Sequence, residues 1–440
     1  MNITNNFFLL MFMLVPVFLI TGPALPDIII TFCAIFFLYS FIFLKKDYTF
    51  VKDKFFLISV ILWLAMIFIS FFSFDKTKSF QDSIIFVRLL MIPTIGYFLF
   101  FNNEEKIKKT INIIFACVIF VLIDTLFQYF NYSSEFGFQN DILGFKSDWY
   151  GRLTGPFGNE LVPGAYVSKF GLLGYLFFFF TKKIKFQNLF EILYLSLIGL
   201  VCFASGERMA LATYFLALFF LIVFLKNKRL VLFFSISFSI ILIVITMIMH
   251  PFYNDYEIIE STHLHQGLTI EKYYDCGENT SQKCKKIIKL QPRFNEVIKN
   301  FSSSAYGEIY KVGWNMFKDN PLTGVGISNY QTNCINIIKY KSMMINYDCA
   351  SHPHNTYIQW LSEGGIITFI SFILLLFSIL YFLLYGVNEK NFKFVAIACI
   401  IILFWPIMST GSLIKNWNGI LTFYIVGLCI SLNRVKIELK

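Results

Sequence analysis

About twelve apolar stretches dominate this chain, each long enough to cross roughly 30 Å of hydrocarbon as a helix of about 20 residues. They fall near 7–22, 26–44, 55–73, 83–101, 110–130, 163–181, 188–204, 208–225, 230–250, 360–385, 393–409 and 413–432. Backbone in hydrocarbon must satisfy its own N–H and C=O groups, so such stretches fold as helices. Only 15% of residues are charged and 57% are apolar, against roughly 25% charged in a soluble domain. The expected fold class is therefore an all-α polytopic membrane protein.

The formal charge of +10 raises the question of a nucleic-acid partner, and the placement of the cations answers it. Lys and Arg gather in alternate short loops: 45–54, 104–109, 182–185, 226–229, 389–393 and the tail from Arg434. The opposite loops 21–27, 74–82, 205–207 and 410–412 are poor in them. The positive-inside bias thus points the same way at every crossing and sets both termini in the cytoplasm. Membrane lipid headgroups account for the charge, and no nucleic acid is required. The first stretch lacks a basic flank and a small-residue cleavage site, so a retained helix is expected, bent at Pro16.

Three parts follow along the chain: 1–250, with nine helices and an outer loop over 131–162; 251–355, one large outer loop; and 356–440, with three helices and a cytoplasmic tail. The large loop holds Cys276, Cys284, Cys334 and Cys349. On the non-cytoplasmic side these cysteines suit an oxidising compartment such as a periplasm. Pairing of Cys276 with Cys284 and of Cys334 with Cys349 closes two short loops; four free thiols is the alternative. Their spacing fits no zinc knuckle, and no metal site or cofactor is expected. A P-loop is also missing, which argues against ATP-driven transport by this chain alone.

The unusual polar residues all fall on the expected outer side. "YGRLTGPFGNELVPGAY", from Tyr150 to Tyr166, carries Arg152 among turn-forming glycines and prolines. "ASGER" puts Arg208 at the start of a helix, and Arg88 interrupts the apolar "IIFVRLLMIP". An ionisable group at that depth faces the protein interior or a wet cavity, unless it snorkels to the interface. In "WNMFKDNPLTGVG" an amphipathic helix stops at Pro321, and Gly324 and Gly326 give a flexible loop. Finally "SHPHNTYIQWLSEGG" places His352, His354 and Asn355 at a helix mouth, with Gly364 and Gly365 allowing another helix close approach. A surface histidine is more often ordinary than catalytic, and the close pair His263 and His265 shows that spacing alone proves nothing. Grouped arginines beside an imidazole are nevertheless what a lipid-linked anionic substrate requires: Arg forks hold diphosphate oxygens, and neutral His takes a proton.

The order R-x-x-G-x-F-x-N (Arg152–Asn159), S-G-x-R (Ser205–Arg208), W-x-x-F-x-D-x-P-L-x-G-V-G (Trp314–Gly326) and H-P-H-N followed by E-x-G (His352–Gly365) resembles the O-antigen ligase and polymerase family. The likeness spans about 80–385, and its last two motifs are the more specific. It implies a GT-C-like membrane enzyme of about twelve helices with one large periplasmic loop, acting at the periplasmic face of a bacterial inner membrane. It also implies a metal-independent glycosyltransferase whose donor is an undecaprenyl diphosphate-linked glycan. Ligases pass that glycan to lipid A-core; polymerases pass it to another repeat unit.

Position by position, the resemblance makes His354 the essential histidine and Arg208 the arginine of the short turn. Many members carry an arginine at about Tyr306, and Arg293 or Lys311 is the expected substitute here. The mechanism that follows is inverting: Arg208, with Arg88 and Arg152, holds the donor diphosphate, His354 deprotonates the acceptor hydroxyl and Asn355 positions it. With the two rings held apart by extended backbone around Pro353, His352 would be dispensable. Ligase is the leading reading and repeat-unit polymerase the second. A flippase or transporter is third, because such proteins set their polar sites near the bilayer midplane.

Overall fold

In a computed structural model, residues 3–434 are described except for 46–48, 101–102, 134–136, 148–150, 182–184, 255–256, 261–272, 276–284, 291–298, 300, 346, 387–389 and 408. Asp148, Tyr150, His263, His265, Cys276, Cys284 and Arg293 lie outside the described residues, so their expected roles have no structural account here.

The bundle opens with α1 (Ile3–Met13), α2 (Val15–Phe18), α3 (Ala24–Tyr39), α4 (Lys54–Ser70), α5 (Lys76–Phe100) and α6 (Glu104–Phe130). It continues through α7 (Pro163–Tyr175), α8 (Phe177–Phe180), α9 (Gln187–Ala204), α10 (Arg208–Phe224), α11 (Arg229–Met249) and α12 (Pro251–Asn254). The loop part contributes α13 (Ala305–Asp319), α14 (Tyr330–Asn336) and α15 (Ile338–Lys341). Last come α16 (Thr356–Leu384), α17 (Lys390–Phe404) and α18 (Asn416–Arg434). Among the described residues, six helical segments are long and apolar enough to cross a membrane, and α4 and α10 are shorter apolar helices. The protein is thus a helical membrane protein.

Sheet is confined to the loops. The strands β1 (Tyr132–Ser133) and β2 (Gly137–Phe138) make a hairpin. A three-stranded sheet sets β5 (Lys285–Leu290) between β3 (Glu257–Glu260), parallel to it, and β4 (Tyr273–Asp275), antiparallel.

Local chemistry explains the boundaries. Asp53 caps α4 by accepting from Phe55 and Phe56 N–H, and Asn103 caps α6 through Lys106 N–H. Pro16 sits in the first turn of α2, just past the break at Leu14, as the expected bend requires. Its carbonyl accepts a 2.7 Å bond from the buried Tyr166 hydroxyl, which fixes the bend against α7.

The last two spans differ from expectation. In place of a three-residue loop at 410–412, α17 stops at Phe404 and α18 begins only at Asn416. Pro406 accounts for the early stop, since it disfavours helical backbone at Trp405 and offers no N–H. The freed connector, Trp405 to Lys415, becomes part of the site described below.

Side chains tie the bundle at both ends. At one, Arg434 bonds Asp53 at 2.8 Å, and Glu191 takes Lys228 and the Tyr175 hydroxyl. At the other, Arg88 pairs with Asp27, and the Trp417 indole donates to Leu19 O. The main core fills the interior. A second core of Ile309, Val312, Met316, Val325, Tyr330, Cys334 and Tyr340 holds the loop part together, and Cys334 and Cys349 are disulfide-bonded beside it.

Candidate active site

The glycine motifs do not form a flexible loop. Residues 321–330 are clamped against the first half of α16: Val325 N donates to Ser362 O and Gly326 N to Glu363 O, both at 2.9 Å. Gly365, at φ +61° and ψ −164°, breaks α16. Ile366 N beyond the break donates to Pro321 O at 2.9 Å. A Cβ on Gly365 would sit 2.3 Å from Leu322 O, and one on Gly324 would sit 2.5 Å from Glu363 C. The partner that approaches Gly364 and Gly365 is therefore this loop, and not the helix expected from sequence. Buried Glu363 completes the clamp. Its carboxylate accepts from Tyr330 N at 3.2 Å and Gln359 Nε2 at 2.9 Å, and also from Ser328 N.

The clamp sets the mouth of α16. His354 has φ +51°, the left-handed region that costs a non-glycine residue roughly 1–3 kcal/mol and that clusters at functional sites. The kink turns its ring toward His352. The ring centroids lie 4.1 Å apart, which corrects the expectation that Pro353 would separate them. Tyr306 meets His354 edge-on at 6.0 Å, so the position where many relatives carry arginine does abut the histidine, with an aromatic ring in place of a cation.

Asn355 caps α16: its Oδ1 accepts from Tyr357 and Ile358 N–H at 3.0 and 3.1 Å, and its Nδ2 donates to Pro406 O at 2.9 Å. A hydrogen bond to Tyr310 occupies the amide further. This engagement gives Asn355 a structural task, and acceptor positioning would have to compete with it.

The 405–415 connector underlies the histidines. Thr410 N donates to His354 O at 2.7 Å, and His352 Nε2 lies 3.2 Å from Thr410 O. Ser412 Oγ accepts from Gln359 Nε2 at 2.8 Å. Lys415, exposed at the end of the connector, is close enough for its charge to act on His352. Burial, together with the neighbouring His354 and Lys415, pushes the His352 pKa down to about 3; burial also lowers that of His354. Both rings are held neutral near pH 7, the form that accepts a proton. Sequence reasoning missed this connector because it is apolar and short, and its signal, a tryptophan–proline pair inside an apolar run, was assigned to a span.

The first two motifs interlock nearby. Arg152 donates from Nε to Ser205 O at 3.1 Å and from Nη2 to Leu161 O at 3.4 Å. Glu207 caps α7 by accepting from Gly164 N and Ala165 N at 2.7 and 3.0 Å. Burial raises the Glu207 pKa to about 7, opposed by Arg152 and by those N–H groups.

Exposed Arg208 begins α10, which runs antiparallel to α17: Phe224 packs on Phe394 at 5.1 Å. From that contact, α10 climbs about 24 Å to Arg208 and α17 about 15 Å to Phe404. The start of α10 and the end of α17, from which the connector leaves, thus lie toward the same end of the bundle. Arg88, in contrast, is engaged elsewhere. It pairs with Asp27 at 2.5 Å and bonds Asn416 Oδ1 at 3.0 Å. A diphosphate would have to displace that carboxylate, so Arg88 does not offer its charge as the sequence suggested.

Strained backbone at His354 and paired imidazoles thus stand at the mouth of an apolar helix, with Lys415 near enough for its charge to act on His352. Residues 193–373 match the family model described as O-antigen ligase. Members are glycosyltransferase-like enzymes of O-antigen processing. The matched segment runs from α9 past the break in α16 and includes Arg208, the glycine clamp and His354. Comparison with curated proteins gives no match.

Proposed function

We propose that the protein is an O-antigen ligase, moving an undecaprenyl diphosphate-linked glycan onto lipid A-core at the periplasmic face of the inner membrane. The observation that carries this reading is His354, held neutral in strained backbone beside His352, toward the end of the bundle where α10 begins with Arg208. His354 takes the proton of the acceptor hydroxyl as that oxygen attacks the anomeric carbon. The bond to the diphosphate breaks on the opposite face, which inverts the centre. Arg208, with Arg152 and Lys415, offsets the charge that builds on the departing diphosphate. No divalent metal is needed where three cations do this work.

Purified variants test the reading in an assay with lipid-linked donor, lipid A-core and EDTA, transferred glycan being followed on gels. His354→Ala is expected to lose about a hundredfold to ten-thousandfold in rate while remaining folded. Arg208→Ala loses most activity, and Arg208→Lys recovers part of it, because a point charge replaces a bidentate fork. Full transfer by His354→Ala would exclude its catalytic role, and a strict need for added metal would exclude the metal-free scheme. A deletion strain separates ligase from polymerase: free lipid-linked polymer accumulates without the first, and single-repeat caps on lipid A-core appear without the second.

A further inference from the structure

Beside the site lies a cavity of about 230 Å³, lined by Asp27 of α3, by Asp82 and Arg88 of α5 with the apolar Ile85, Phe86 and Leu89 of the same helix, by Ile414 of the connector and by Asn416 at the start of α18. That is well above the roughly 10–15 Å³ of such volume that one water needs, and leaves room for one sugar ring. Its charges do not suit a phosphate: two carboxylates face one guanidinium, and Asp27 already takes Arg88. Its lining does not suit an acyl chain either, since three charged side chains and one amide stand among its four apolar ones. Arg88 Nε is buried and has no hydrogen-bond partner among the described residues. A hydroxyl satisfies such a donor and can donate to a carboxylate at the same time, without bringing charge.

The cavity is also mechanically continuous with the histidines. Ile414 N donates to Ser412 Oγ, which in turn receives Gln359 of α16, while Thr410 of the same connector holds His354. Asp82 lies near enough to Glu363, nine positions past His354, for their charges to interact.

We propose that this cavity is the subsite for the hydroxyl-bearing terminal sugar of the acceptor, with Asp82 and Asn416 as its hydrogen-bonding partners beside the Asp27–Arg88 pair. The inference rests on the glycan-transfer reading. The test uses purified protein in lipid nanodiscs, saturating lipid-linked donor and varied lipid A-core. Asp82→Asn and Asn416→Ala are expected to raise the acceptor KM about tenfold or more, with kcat and the donor KM changed less than about twofold. Unchanged acceptor KM in both variants, alongside a dead His354→Ala, overturns the subsite and leaves the transfer reading intact. A wild-type acceptor KM that follows the phosphatidylethanolamine content of the disc assigns the cavity to a lipid headgroup and also overturns it. Should transfer itself fail, saturation-transfer NMR with glucose, galactose and N-acetylglucosamine reads the cavity directly. Binding lost in Asp82→Asn supports a sugar site, and absence of binding to wild type refutes it.

Discussion

His354 shows how far a single side chain can be read from sequence. Its position at a helix mouth was legible in "HPHN", but its left-handed backbone and its contact with His352 were not, because both follow from the clamp behind it. The contact changes what His352 is expected to do. Buried against His354, it helps keep that ring neutral, so the acid limb of kcat/KM that reports His354 should lie below the ordinary histidine value of about 6.5. An acid limb at or above pH 6.5 in the wild type would contradict this.

His352→Ala opens the site to water and should move the limb upward, toward the ordinary histidine value of about 6.5. Stability follows the same sign. A histidine whose folded pKa of about 3 lies below its unfolded value stabilises fully above pH 6.5 and progressively less as pH falls toward 3. Lys415, hidden from sequence reasoning inside an apolar run, brings a charge close enough to act on His352. Lys415→Ala should raise the donor KM several-fold with Lys415→Arg near wild type, and equal donor KM in all three would remove it from the site.

Among the elements, the helices were visible as apolar runs, while their breaks were only partly so. The glycines at 364 and 365 announced a close approach, but periodicity could not say that a loop of the same chain would be the neighbour. Gly365→Ala should lose fold stability and activity together, since left-handed backbone costs a side chain roughly 1–2 kcal/mol before the contact with Leu322 O is counted. Ordinary expression and melting behaviour of that variant would argue that the break is dispensable.

The Cys334–Cys349 bridge, fifteen positions apart, ties α14 to the stretch before His352. A loop of that length contributes about 3 kcal/mol in the chain-entropy account. Reduction, or Cys349→Ser, should therefore lower the melting temperature measurably, whereas an unchanged melt with and without reductant would show the bridge to be idle. The pairing itself was one of two open alternatives in the sequence, because spacing does not report whether sulfurs meet.

Across the protein, the alternation of basic and polar loops is the feature sequence carries best, because charge cannot cross hydrocarbon cheaply. From it Lys228 is expected inside and exposed Asn336 outside. Single cysteines at these two positions, in a background with Cys276 and Cys284 replaced and probed in intact cells with an impermeant thiol reagent, should label at 336 and not at 228; the five free cysteines among the described residues are buried. The reverse pattern would invert every assignment of inside and outside made above. Long-range partners such as Asp27 with Arg88 remained hidden because 61 positions separate them and neither residue's pattern names the other.

The break in α16 also bears on how this enzyme tolerates its surroundings. The first amide donor of the lower half-helix, Ile366 N, is anchored to Pro321 of the loop part and not to the upper half that carries the histidine. A bilayer that thins or thickens makes a spanning rod tilt. Here the break at Gly365 gives that tilt a place to turn, with the Pro321 anchor and the Thr368 Oγ1 bond to Trp360 O as its pivots, so the rate of transfer is expected to depend little on lipid chain length.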